Sequence, residues 1–421
     1  MMKKVGIYTT FYEASSGYSL IRVAETQINM LLAHGYDPAV FVQENFVQPE
    51  GETLWRAETV DLRRAVPQMH LDTTIAADFS DRADLVYNAM VRTMSDLDVC
   101  ITHDIIAQTY YQPHNVAMRR YAKERPELLW LHWIHSVPAD SRAMDYPRNC
   151  RFTPPPGFIV YPNSVESSRV AQSYGLAGKE HKVKVSRSAH SLDPLKAWRY
   201  DSLTVDLANK AGLVGGEVVV VYPARLDKGK QPDKIIRLLA GVQKAGYDPR
   251  LLVIDWQSGG ERFQKYMDEL EALAESLGIG NNVHFSSRLD DRCDQGVPQH
   301  VVIELMDLAN VGIFPSRTET YSIVVHENIN RGNLTVLNHD LAPMRELYGD
   351  NVIYMDFGSD TTNRKYNPDE QTFWDDQALR LISELRNSRA LWAKTVARRD
   401  WTPAALWTDF ERLLYLESEG E

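Results

Sequence analysis

The stretch NVGIFPSRTETYSIVVHENIN, Asn310 to Asn330, decides how the rest of the chain is read. Val311 to Phe314 is a short apolar run of the kind that forms a buried strand, and Pro315-Ser316 stops it. A polar turn, Arg317-Thr318-Glu319-Thr320, follows. Ser322 to Asn330 then reads as the start of a helix. A strand that passes through a polar loop into a helix aims backbone N–H groups and the positive end of the helix at an anion. Two carboxylates, Glu319 and Glu327, flank that place with seven residues between them. Acidic side chains beside an anion site fit a ligand that carries phosphate and hydroxyls together, as a nucleotide sugar does.

Upstream and downstream the pattern of strand, loop and helix repeats. Lys4 to Thr9 reads as a strand, Ser19 to His34 as a helix stopped by Gly35, and Pro38 to Val42 as a second strand. Together they make a βαβ unit whose strands should run parallel. Gly17 lies in the loop of that unit, where such units hold ligands or simply turn. Strands are expected again at Leu97 to Thr102, Leu128 to Ile134, Ile159-Val160 and Val183 to Val185, with a helix from Tyr110 to Arg125. Ser164 is placed to cap a helix ending near Tyr174. Three histidines, His103, His132 and His135, stand near these strand ends. Apolar periodicity weakens from Asp193 to Gly216, which places a domain boundary there. It restarts at Glu217 to Tyr222 (EVVVVY) and continues with strands at Leu251 to Asp255, Val283 to Phe285, Thr335 to Asn338 and Asn351 to Met355. Helices are expected at Asp233 to Ala245, Glu261 to Leu277, Val301 to Ala309, Asp375 to Arg399 and Pro403 to Leu416. The result is an α/β fold with three segments. Residues 1–195 form an N-terminal Rossmann-like domain and residues 196–400 a C-terminal one, which the resemblance described below makes the acceptor-binding and the nucleotide-sugar-binding domain. Residues 401–421 form a helix that can pack back on the first domain. Trp401 and Trp407 read as core or interdomain packing.

Composition narrows the function classes. With 421 residues and 44 % apolar residues the chain has material for two large cores. No apolar run approaches the roughly 20 residues of a membrane helix. The opening MMKKVGIYTTFY reads as a first strand and not as a signal peptide. Cys100, Cys150 and Cys293 are widely spaced and offer no metal pattern and no disulfide framework, so a reducing, cytoplasmic setting is expected. A formal charge of −11 makes the whole chain a poor generic binder of nucleic acid. Two basic patches, Lys179/Lys182/Lys184/Arg187 and Arg386/Arg389/Lys394/Arg398/Arg399, read as solvated faces.

Three signatures in order carry a resemblance. Ala224-Arg225-Leu226 is followed by Lys230, Pro315-Ser316 by Glu319 and Glu327, and Arg331-Gly332 by the strand Thr335-Val336-Leu337. In this the chain resembles the retaining GT-B glycosyltransferases, specifically glycosyltransferase family 4. The resemblance covers nearly the whole chain and implies two doubly wound domains facing across a cleft. It also implies a nucleoside-diphosphate sugar, UDP- or GDP-linked, as co-substrate, with no cofactor and no catalytic metal. No acidic pair of DxD type stands at a strand end suited to hold one. On the resemblance, Arg225 and Lys230 neutralise the leaving diphosphate, Glu319 contacts the sugar and Glu327 the ribose. Thr320, Tyr321, Ser322, Ile323 and Gly17 line the donor, Arg288 lies by the base, and His135 is a catalytic residue that meets the transferring sugar from the first domain. The chain departs from the family where glycines usually stand beside the first Glu, here Thr320 and Ser322.

Other readings stay open. Ser316-x-x-Glu319 has the form of a capping box. The acceptor is a glycan, a lipid-linked sugar, a small molecule or a modified base in viral DNA. A nucleotide-sugar epimerase, a phosphorylase of the same two-domain shape and a catalytically silent sugar-nucleotide-binding subunit are the competing functions.

Overall fold

Two parallel sheets organise the chain in the computed structural model, which describes residues 2–13, 19–47, 60–68, 78–108, 111–135, 153–255, 260–319, 322–357 and 370–417. The chain divides into two units: Met1–Leu192 together with Pro403–Glu421, and Asp193–Thr402.

The first unit runs β1 (Val5–Tyr8), α1 (Ser19–Ala33), β2 (Ala39–Gln43), β3 (Asp61–Val66), α2 (Phe79–Thr93), β4 (Val99–His103), α3 (Gln112–Glu124), β5 (Leu129–Trp133), β6 (Phe158–Tyr161), α4 (Ser167–Ser173) and β7 (Val183–Val185). Its seven strands are all parallel, in the order β3-β2-β1-β4-β5-β6-β7. Strands buried on both faces read as apolar runs without alternation, and β1, β2, β4, β5 and β6 are buried throughout. Successive side chains point to opposite faces and so feed two cores. Val5, Ile7, Val99, Leu131 and Trp133 join α1 on one side, and Tyr8, Phe41, Cys100 and Trp130 join α2 and α3 on the other.

The second unit runs α5 (Pro194–Ala197), α6 (Ser202–Lys210), β8 (Val218–Ala224), α7 (Pro232–Lys244), β9 (Pro249–Asp255), α8 (Glu261–Ser276), β10 (Val283–Phe285), α9 (Ser286–Leu289), α10 (Gln299–Leu308), β11 (Val311–Phe314), α11 (Ile323–Asn330), β12 (Leu334–Asn338), α12 (Ala342–Tyr348), β13 (Ile353–Met355), α13 (Gln371–Asn387) and α14 (Arg389–Asp400). Its sheet is also parallel, ordered β10-β9-β8-β11-β12-β13. The run VVVV of β8 shows why β-branched residues suit a central strand. Val218 and Val220 face one core with α7 and α13, and Val219 and Val221 face the other with α6 and α10. Both units are therefore doubly wound α/β domains, as the resemblance implies. In each sheet the strand order reverses between the first strand and its neighbour, at β1/β4 and at β8/β11. Crevices at the carboxyl ends of such strands are where open α/β sheets hold ligands.

The last helix, α15 (Pro403–Leu414), lies on the first unit. Trp407 stacks on His34 at 3.7 Å between ring centres, and Phe410 meets Trp133 edge-on. Tyr415 shares a 3.0 Å hydrogen bond with Tyr36. No described helix is long and apolar enough to cross a membrane.

Several local expectations are corrected. The segment expected as one helix from Asp375 to Arg399 is two, α13 and α14, broken at Ser388. Ser164 does not cap α4. The helix starts three residues later, and Asn163 Oδ1 accepts from the Glu166 N–H in the turn before it. Trp401 is half exposed and not core. The Arg386–Arg399 patch is only partly a solvated face: Arg386 and Arg389 are exposed, but Arg398 is buried and donates to the carbonyls of Leu213 and Val214. Burial also pushes Lys394 down to about 8, and it donates to the Ala309 carbonyl.

Candidate active site

The site is built on two loops that leave the switch point of the second sheet. The first follows β8 and runs from Arg225 to Gln231. Asp227 shapes it by accepting from the N–H groups of Gly229 and Lys230 at 2.9 and 3.2 Å. Buried Tyr222 donates its hydroxyl to the Lys230 carbonyl at 2.7 Å and fixes the far end. Gln231 takes a left-handed conformation, φ 51°, just before α7 begins at Pro232. The second loop follows β11. The Arg317 N–H donates to the Gly229 carbonyl at 2.9 Å, and Gln231 Nε2 donates to the Pro315 carbonyl, so the two loops are stitched together. Asn338 at the end of β12 donates to the Ser316 carbonyl at 3.1 Å and supports the second loop from beneath.

This scaffold brings Lys230 to Glu319. Their side chains form an ion pair in which Lys230 keeps 33 % and Glu319 16 % of its surface. Arg225 is on the same loop but more open, with its guanidinium on Asp227 at 3.2 Å. Ser316 and Glu319 both precede the helix, which starts only at Ile323, so they do not form a capping box. Ser322 holds a left-handed backbone, φ 59°, and its side chain makes no cap hydrogen bond to α11. That conformation is one in which glycine is unstrained and serine is not. Ile323 is exposed. Glu327 lies on α11 and accepts from Gln299 Nε2 at 2.7 Å. Arg288, in α9, turns toward α8, where Asp268 holds it at 2.6 Å. Thr320, Tyr321 and Gly17 lie outside the described residues.

Helix α11 is seated through Asn328. Its amide donates to Thr335 Oγ1 at 2.9 Å, and Asn333 Nδ2 donates to its carbonyl oxygen at 3.1 Å. A Cβ added to Gly312 of β11 would stand 2.4 Å from Asn328 Cγ. Gly312→Ala is therefore expected to push α11 off the sheet, at a cost of about 1–3 kcal/mol. A lower melting temperature, partly restored by adding Asn328→Ala, checks this.

In the first unit, His135 follows β5. Its backbone N–H donates to Asp104 Oδ1 at 2.9 Å, and Asp104 itself has a left-handed φ of 54°. Both ring nitrogens of His135 are engaged, Nε2 with His103 at 2.8 Å and Nδ1 with His190 at 3.0 Å. His190 was not singled out by its sequence context, and no local signal marks it. His132 points away from this group, between Thr102 and the Pro156 carbonyl. A cavity of about 220 Å³ opens beside the ends of β1 and β4, with Thr9, Thr10, His103, Asp104, Gln108 and Tyr111 in its wall. Among the described residues, His339, Asp340 and Asp356 bring three potential ligand atoms for a metal within 4.8 Å of one another. Groupings of this kind are common on loops without an ion.

Residues 206–359, from within α6 to just past β13, match the family described as glycosyl transferases group 1. No curated protein matches the chain. Solved structures align over almost all of it at low identity. A glycosyltransferase from Rickettsia africae is 12 % identical, with 98 % of each chain covered and a TM-score of 0.34. HepE of Anabaena, in complex with UDP and glucose, is 15 % identical over 98 % of this chain and 99 % of its own, at a TM-score of 0.35. Sucrose-phosphate synthase from Thermosynechococcus elongatus is 14 % identical over 98 % of each chain, at 0.36. On the family match, which takes in both site loops, the chain is a glycosyltransferase enzyme with a group 1 domain in its second unit.

Proposed function

We propose that the protein moves a sugar from a nucleoside-diphosphate sugar, UDP- or GDP-linked, to an acceptor hydroxyl, with retention at the anomeric carbon and in the manner of glycosyltransferase family 4. The observation that carries this is the meeting of Lys230 and Glu319 at the β8/β11 switch point, with Arg225 on the same loop. Cleavage of the donor leaves negative charge on the diphosphate, and preorganised cations stabilise that charge most where they need not reorganise. Lys230 offers a compact charge and Arg225 a planar fork for phosphate oxygens. Glu319 orients the Lys230 ammonium and is left to accept from a sugar hydroxyl. Glu327 is suited to accept from the ribose diol. With these two cations on the diphosphate, no catalytic metal is assigned. The acceptor proposed is a glycan or small molecule, in keeping with the acidic charge of the chain.

Calorimetry with a panel of UDP-, GDP- and ADP-sugars tests the reading. One donor is expected to bind. Lys230→Ala is expected to weaken it by about 10- to 150-fold, the loss of one charge-assisted contact of about 1.5–3 kcal/mol. If no nucleotide sugar in the panel binds the wild-type chain, the proposal fails.

A further inference from the structure

Four side chains of the first unit form one unbroken row. Gln27, fully buried in α1, presents Oε1 to His103 Nε2 at 2.9 Å. His103 Nδ1 meets His135 Nε2 at 2.8 Å, and His135 Nδ1 meets His190 Nε2 at 3.0 Å. The rings of His103 and His135 lie within 16° of parallel, and those of His135 and His190 are tilted by 65°. His103 is buried, His135 partly so, and His190 is exposed. Gln27 Nε2 finds no partner among the described residues.

The atoms at the buried end set the direction of the whole row. A carbonyl oxygen only accepts, so His103 carries its proton on Nε2. In a neutral imidazole the other nitrogen is then an acceptor, so His103 Nδ1 receives Nε2–H of His135. The same step passes to His190, which gives Nε2–H to His135 and is left with a bare Nδ1. The inner rings must stay neutral for this, because a proton added to either would set N–H against N–H. Burial lowers all three: His103 lies well below the usual imidazole range, His135 falls to about 4, and His190 is lowered as well. The outer nitrogen of His190 stands apart, since it can bind a hydroxyl without disturbing the row.

We propose that Gln27, His103 and His135 form a directed hydrogen-bond ladder that holds His190 as its Nε2–H tautomer and presents Nδ1 as the acceptor for a hydroxyl of the sugar-accepting substrate. The ladder stands on its own geometry. The identity of the ligand rests on the glycosyl-transfer reading. Gln27, His103 and His135 are positioning residues, and His190 is the imidazole that meets the ligand. A chain of four side chains from α1, β4, the end of β5 and the segment after β7 thus fixes one tautomer at the surface.

Long-range 15N–1H NMR of the full chain labelled on histidine reads the tautomers directly. At neutral pH, His103, His135 and His190 are expected all to be Nε2–H. An Nδ1–H tautomer at His190, or a mixture, overturns the ladder, and this needs no variant. Gln27→Met removes the terminal acceptor at similar volume, and His190 is then expected to lose its single tautomer. His190→Asn is expected to leave His103 and His135 unchanged. With the donor that binds the second unit and a mixture of neutral mono- and disaccharides as acceptor probe, Gln27→Met is expected to raise the acceptor KM about tenfold, the effect of one hydrogen bond of about 1.4 kcal/mol. The donor Kd is expected to stay unchanged. An unchanged acceptor KM in Gln27→Met with scrambled tautomers removes His190 from the acceptor side. Absence of donor binding or of any transfer by the wild type instead overturns the glycosyl-transfer reading, and with it the ligand of His190, and leaves the tautomer result standing.

Discussion

Replacing Lys230 by alanine is expected to lower kcat/KM for transfer by about 10²–10³-fold, the scale of removing one preorganised contact from a developing negative charge. The reason lies in how Lys230 is held. Its backbone is pinned at both faces, by Asp227 on the N–H and Tyr222 on the carbonyl, and its ammonium is already turned to Glu319. Little reorganisation is then needed when phosphate arrives. Lys230→Arg restores charge but not shape, so it is expected to recover only part of the rate. Glu319→Gln keeps the hydrogen-bonding reach without the charge and is expected to lower kcat more than it raises the donor Kd. The pair keeps solvent contact on the lysine side, so its removal is expected to move the melting temperature little. Steady-state kinetics beside thermal melts check all three variants. A Lys230→Ala protein within threefold of wild type would remove the leaving-group role from this side chain.

The second large effect is a loss of stability in the first unit as acid is added. Unfolded histidine takes a proton with a pKa near 6.5. In the folded unit, burial lowers His132 to about 3 and His135 to about 4, and pushes His103 well below its usual range. Between the two sets of values the unfolded chain binds more protons, so stability rises with pH there. The contribution is fully present above about pH 6.5 and is lost as pH falls toward 4. At 1.36 kcal/mol per pKa unit the shifts of His132 and His135 together are on the order of 8 kcal/mol. Hydrogen exchange, followed by mass spectrometry on peptides covering 99–103 and 129–133, isolates it from the second unit. Exchange there, corrected for its intrinsic pH dependence, is expected to quicken between pH 6.5 and 4.5. His135→Asn is expected to flatten the dependence. Protection that does not change across this interval would show that these rings do not titrate on unfolding.

Much of the architecture was legible because parallel strands buried on both faces leave unbroken apolar runs. EVVVVY and LLWLHWI announce β8 and β5 without alignment or contact information. Strand β3 was not read. It is an edge strand with Asp61, Arg63 and Arg64 in six residues, and an edge needs no apolar run. Helix α2 also went unread, although Phe79, Ala83, Val86, Tyr87 and Met90 carry helical spacing. In the candidate site, Glu319 and Glu327 were marked by their loop and spacing, and Arg225 and Lys230 by the resemblance of their motif to glycosyltransferase family 4. Asp227 and Tyr222, which shape the loop, were not, since their roles are bonds to backbone groups that composition does not mark. His190 was out of reach for a stronger reason: it is 55 residues from its partner His135. Arg398 shows the converse error, where a charge counted as surface turned out to be buried, with its Nη1 on two carbonyls.

The return of α15 to the first unit has a consequence for how this protein is made. The polypeptide leaves the ribosome from its amino end, so strands β1 to β7 emerge before the second unit, but the helix that packs on His34 and Trp133 emerges only after it. The second unit is contiguous, from Asp193 to Thr402, and has every segment it needs before α15 has been synthesised. The domain begun first is thus finished last. Until then its apolar face is open to chaperones, and a stop codon before Pro403 would injure the domain farthest from it in sequence.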